Sequence, residues 1–259
     1  VRKNSAASKE KDYLTNKLLS VFTIAFIMIY ALMIVGRMME RVDLFLKAWA
    51  ITKIVAVVFA VLALVGLGRA FYCKKRGIDT RYCLLSGTNI AAVSAFIALC
   101  AFGLSQVFNP NFLPVLYVFI PTVAVSYIIY HSYQQEFFLV WKTSVFGAVG
   151  VWIIGRALAG GYGSTHAGLF LWIFLAVIAI VLAVTVVLQI SGGAVKLAGR
   201  KIRIFNSDLS YGVVYLSFAV LLGVLAAVVF SAGAWTYPMI FTLVGYTVIM
   251  GIYYTIRLI

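Results

Sequence analysis

Four residues in the stretch SYIIYHSYQQEFF, positions 126–138, have the types that proton transfer or polar-ligand binding needs: Tyr127, His131, Gln135 and Glu136. Tyr127, His131 and Gln135 are spaced by four, so one continuous helix would set them on one face. An imidazole and a carboxylate near each other are common partners in acid–base chemistry. The same stretch also has a purely structural reading. Ser132 to Gln135 matches the capping pattern S-x-x-Q just ahead of an apolar run. Ser132 would then cap the following helix, and Glu136 would fall in its first turn, where the helix dipole favours a carboxylate. No Gly or Pro lies between Thr122 and Phe146, so the reversal there has to be tight.

Three cations form the second candidate set. Lys53, Lys142 and Arg156 fall inside or at the ends of apolar runs, where charge is costly. Snorkelling to the nearest interface, beside Trp49 or Trp141, accounts for them structurally. The functional alternative is contact with lipid headgroups. Lys142 and Arg156 are fourteen apart, on one helix face at opposite ends, and suit headgroups in both leaflets. No acid falls at mid-membrane, although proton-coupled pumps usually need a buried carboxylate or histidine relay. Asn89, Thr122, Ser126, Thr185, Gln189 and Thr247 are polar span residues, expected to join helices more than to bind substrate.

These residues sit in a chain of 259 residues that is 64% hydrophobic and 11% charged, with mean hydropathy +1.07. An ordinary soluble domain is about 45–50% apolar and ~25% charged. The composition therefore points to an all-α, polytopic transmembrane helix bundle. Eight runs have the length to span: 18–36, 49–68, 83–105, 112–131, 137–158, 167–190, 211–232 and 237–256. Turn-forming stretches such as FNPNF and AGGYGSTH separate them. Pro121 should kink the fourth span. The stretch RMMERVDLFLKAW reads equally as an amphipathic surface helix or as an extension of the second span. Small residues spaced by four predict close helix contacts at Gly87, Ala91 and Ala95, and at Ala219, Gly223 and Ala227. The loop 194–208 is basic and is expected to be a plain connection.

The net charge of +14 could suggest nucleic acid, but the basic residues lie in short segments between apolar runs, so no nucleic-acid partner is expected. With the N-terminus inside, inner segments hold 15 Lys and Arg and outer segments 4. Both termini are therefore expected in the cytoplasm, in the cytoplasmic (plasma) membrane of a bacterium. Residues 1–17 read as a cytoplasmic basic tail, followed by a retained first span rather than a cleaved signal peptide. Residues 18–259 read as a single transmembrane domain. A weak 4+4 repeat, 18–131 and 137–259, is suggested by proline near the start of each half's last span, FLPVLY and TYPMIF.

The three cysteines give no disulfide framework. Common hydrolase, metalloprotease and nucleotide-binding motifs are absent. His131 and His166 are expected about 30 Å apart across the hydrocarbon core and cannot share a metal within one subunit. No metal or cofactor is expected. The lipid bilayer is the expected partner, with other membrane proteins beside it. The leading functional expectation is a non-enzymatic partner-binding, lipid-associated or assembly component. A small permease for an apolar or uncharged solute comes second, and an intramembrane enzyme using His131 and Glu136 third.

Overall fold

The computed structural model describes residues 2–78, 83–106, 112–160, 164–192, 194–197, 200–203 and 210–258. For residues 2–11, 106, 164, 194–197, 200–203 and 258 it describes the backbone alone. The turn FNPNF up to Asn111, along with Asp79, Arg81 and Asp208, lies outside the described residues. Eight helices are long and apolar enough to cross a membrane. They are α1 (Arg2–Met39), α2 (Val42–Lys75), α3 (Gly87–Gln106), α4 (Phe112–Ser132), α5 (Gln135–Leu158), α6 (Ala167–Ile190), α7 (Tyr211–Phe230) and α8 (Thr236–Leu258). The chain is thus an all-α, multi-pass integral membrane protein.

Three boundaries differ from the sequence expectation. Residues 2–17 are helical and continuous with the first span, because nothing in that segment breaks a helix once the apolar run has nucleated one. RMMERVDLFLKAW turns only at Glu40 and Arg41 and then enters α2, so the extended-span reading holds. At ~51 Å for 34 residues, α2 exceeds a ~30 Å hydrocarbon core, so it tilts or projects. The basic connection after α6 contains a short antiparallel hairpin, Ala194–Leu197 with Arg200–Arg203, that sets Lys196 opposite Lys201.

The chain divides into two compact units, Val1–Tyr127 and Ile128–Ile259. In the first, α2 and α3 lie backbone against backbone. A Cβ at Gly66 would come within 2.7 Å of the Ala91 nitrogen, and one at Gly87 within 2.5 Å of the Ala70 nitrogen. The predicted Gly87 and Ala91 contacts are therefore real. Ala25, Leu32, Cys100, Leu104, Leu116, Ile120 and Ala124 form this unit's core.

In the second unit α5 packs against α6, α7 and α8. Phe174 of α6 lies on Gly150, and Leu221 of α7 lies on Gly147. The core runs through Val151, Ile154, Ile178, Leu221, Val228 and Leu243. At the C-terminal end of α5 the α7–α8 turn closes on it. Gly233 has φ +85° and sits on the Gly155 carbonyl oxygen, where a side chain would collide. The predicted contact stripe on α7 does not pack: Gly223 has open space beside it, and Ala219 is exposed. Its buried face is Val214, Ser217, Leu221, Val224 and Val228 instead.

Candidate functional site

The α4–α5 reversal takes only two residues, Tyr133 and Gln134. Helix α4 continues through Ser132, since no Gly or Pro stops it earlier, and each further residue adds a hydrogen bond. Gln134, not Ser132, occupies the cap position of α5. Its backbone is extended (φ −64°, ψ 152°), and no side chain caps the helix. The expected Ser132–Gln135 capping box is therefore not formed. Aromatic contacts fix the entry angle in its place: Tyr133 packs on Phe137 at 4.9 Å and Tyr130 on Phe138 at 5.0 Å between ring centroids. The side-chain cap that does form is at Ser86, whose Oγ accepts from the Asn89 N–H at 3.3 Å at the start of α3.

Glu136 is the second residue of α5 and is 5% exposed. Oε1 accepts from the Ser210 backbone N–H at 2.6 Å. Oε2 accepts from the Tyr254 hydroxyl at 2.8 Å and from Arg257 Nη1 at 3.3 Å. Tyr254 is fully buried, and the Arg257 side chain is 48% exposed. Ser210 precedes α7, and Arg257 lies in the last turn of α8. Three segments far apart in sequence thus meet at one end of the second unit. The charge is offset by a guanidinium and by the positive ends of two helices, α5 and α7. Tyr133 adds a hydroxyl contact to Thr255 at 3.2 Å, and Phe137 packs on Tyr254 at 5.7 Å.

The other members of the proposed set have different surroundings. His131 is exposed and meets Tyr130 edge-on at 5.0 Å. Gln135 is exposed at the first position of α5. Tyr127 belongs to the first unit, where the Lys17 ammonium lies 5.5 Å from its ring centroid and 5.7 Å from that of Tyr13. Asn89 donates to Tyr13 Oη at 3.4 Å and to the Leu84 carbonyl at 3.1 Å. Tyr13, Lys17, Asn89 and Tyr127 form a polar cluster that the spacing of single residues did not reveal.

The three span cations share one geometry. Lys53 Nζ lies 3.4 Å from the Trp49 ring centroid, Lys142 Nζ 4.1 Å from Phe138, and the Arg156 guanidinium carbon 5.7 Å from Trp152. Each aromatic is four residues earlier, because helical side chains lean toward the N-terminus over the preceding turn. For Lys142, near the start of α5, that lean leads toward the nearer helix end, and for Lys53, twelfth residue of α2, toward the start of that helix. For Arg156, near the end of α5, it leads away. The ring beneath the Lys142 ammonium is thus that of Phe138.

The polar span residues are engaged mostly within their own helices. Thr122, Ser126, Thr185 and Thr247 donate to carbonyl oxygens four residues back, at 2.6–2.8 Å. Gln189 does join helices, accepting from Tyr215 at 2.5 Å. Ser217 and Tyr246 likewise join α7 to α8 at 2.8 Å.

Among the described residues, fold and site together define a multi-pass membrane protein of eight helices with one buried, fully bonded carboxylate. Compared with protein families, curated proteins and solved structures, the chain matches none.

Proposed function

We propose that the chain is a non-enzymatic component of a bacterial cytoplasmic membrane, one that associates with lipid and membrane partners rather than transforming a substrate. The observation that carries this reading is the bonding of Glu136. Both its oxygens are committed to Ser210, Tyr254 and Arg257, so the acid in the most site-like stretch acts as a structural tie. The hydroxyls of Thr122 and Ser126, which a permease would turn toward its solute, are committed to backbone oxygens of α4.

Apolar surface supports the partner-binding side. On α1, Phe26 is 69% exposed and Tyr30 66%; on α2, Leu64 is 69% exposed. The 15-to-4 division of Lys and Arg supports cytoplasmic termini.

Site-specific photo-cross-linking in native membranes tests the reading, with the photoreactive residue at position 26 or 64. A discrete protein adduct from at least one position, together with no solute flux through the purified chain in liposomes, is the expected result. Lipid adducts alone, combined with measurable flux of an uncharged solute, would overturn it in favour of a permease.

A further inference from the structure

The second unit has a cavity of about 220 Å³ between α5, α6 and α7. Leu139 and Phe146 of α5, Val177 and Val181 of α6 and Phe218 of α7 line it. Thr143 and Thr185 also border it, but their hydroxyls donate to the Leu139 and Val181 carbonyls at 2.9 and 2.8 Å. The walls therefore offer an occupant almost nothing but hydrocarbon. The volume is below the 300–1,000 Å³ typical of small-molecule pockets, and Phe146 and Val181, each 43% exposed, leave it open sideways.

Position along the helices narrows the occupant further. Lys142 is seven residues into α5, Thr185 five residues before the end of α6, and Val214 three residues into α7. The cavity thus begins near the Glu136 end of the unit. Its α6 wall, Val177 to Thr185, covers ~12 Å at 1.5 Å per residue, and its deepest point lies ~20 Å from the end of α6, within the depth of about one leaflet. Lys142 is the one cation lining it. Its ammonium leans back over Phe138, toward the interface, and among the described residues it has no carboxylate partner. A cation so placed at the edge of hydrocarbon is stabilised by an anion. The connection that follows α6 brings four more cations in sequence: Lys196, Arg200, Lys201 and Arg203.

We infer that this crevice seats an acyl chain of an anionic glycerophospholipid from the leaflet on the Glu136 side, with its phosphate on Lys142. The inference deepens the lipid-associated part of the proposed function and rests on it. The lipid fills a lateral groove that neighbouring helices leave open. The lysine selects anionic headgroups because no carboxylate among the described residues pairs with it.

The test uses the full chain, delipidated in detergent and titrated with phosphatidylglycerol or phosphatidylcholine, with retained lipid counted by native mass spectrometry. Wild type should retain one phosphatidylglycerol in preference to phosphatidylcholine. Lys142→Met should weaken that retention about tenfold, the scale of one charge-assisted contact, and Lys142→Arg should restore it. Val181→Phe, which fills the groove, should abolish it, while Lys47→Met, the same charge loss at a cation outside the candidate headgroup set, should leave it unchanged. Retention equal to wild type in Lys142→Met or Val181→Phe overturns the inference. So does an equal loss in Lys47→Met, or equal retention of the two lipids. Failure here leaves the cross-linking result standing, whereas solute flux would overturn the proposed function without emptying the crevice.

Discussion

Three donors meet Glu136, and their burial ranks them. The Tyr254 hydroxyl is in the interior, so removing it strips a buried carboxylate of a partner. Tyr254→Phe should destabilise by about 2 kcal/mol, within the range for hydrogen bonds to charged groups. Arg257 is half-exposed at 3.3 Å, and solvent screening reduces its contribution; Arg257→Met should cost less than ~1 kcal/mol. Chemical-denaturant unfolding in detergent micelles measures both, and the reverse order would contradict this account of the tie. At this scale the sequence was a partial guide. Ser132 and Gln135 matched a capping pattern that the chain did not use, because α4 runs on through Ser132, with the Tyr133 N–H bonded back to the Ile129 carbonyl, and Gln134 takes the cap position of α5. Glu136 was visible as the unusual acid. Its partners lie 74, 118 and 121 residues away, and no local pattern points to them. The aromatics four residues before each span cation were legible in sequence. Reading them needed the N-terminal lean of helical side chains.

Among the elements, the α7–α8 turn separates two glycine-like positions. Ala232 has φ +49°, a left-handed conformation that costs an L-residue roughly 1–2 kcal/mol. Ala232→Gly should therefore stabilise slightly or be neutral, the relief of strain being offset by the greater entropy of the unfolded chain. Gly233→Ala should destabilise by more than ~2 kcal/mol, because it combines positive φ with a collision against the Gly155 carbonyl. Thermal unfolding of the two variants should move in clearly different directions or by clearly different amounts; equal losses would refute the geometry. A second contrast is between Gly66→Leu, which must force α2 from α3, and Gly223→Ala, which faces open space. The first should abolish folded protein on size-exclusion chromatography, and the second should behave as wild type. The eight spans were legible because a 20-residue apolar run has few other fates. Which small-residue stripe would pack was not: Gly87–Ala91 and Ala219–Gly223 look alike in sequence, and only the facing helix distinguishes them.

For the whole molecule, orientation and the fastening of the second unit each make a prediction. On the proposed topology the α2–α3 connection is cytoplasmic; it carries Cys83, which is exposed, whereas Cys100 is buried in α3. In a Cys73→Ser background, a membrane-impermeant maleimide should label the protein only after permeabilisation; labelling in intact cells would reverse the proposed topology. The second unit is fastened at both ends of α5, by Gly233 and Thr236 at one and by Glu136 at the other. If Glu136 is a tie, its loss loosens α5, α7 and α8 together. If it were a reactive group held under strain, neutralising it would leave stability unchanged or raise it. The deciding measurement is the thermal unfolding midpoint of Glu136→Gln against wild type in lipid nanodiscs. The account predicts a lower midpoint, with a loss of about 2–4 kcal/mol for breaking a buried, hydrogen-bonded charge. An unchanged or higher midpoint would contradict it and return Glu136 to the list of functional groups.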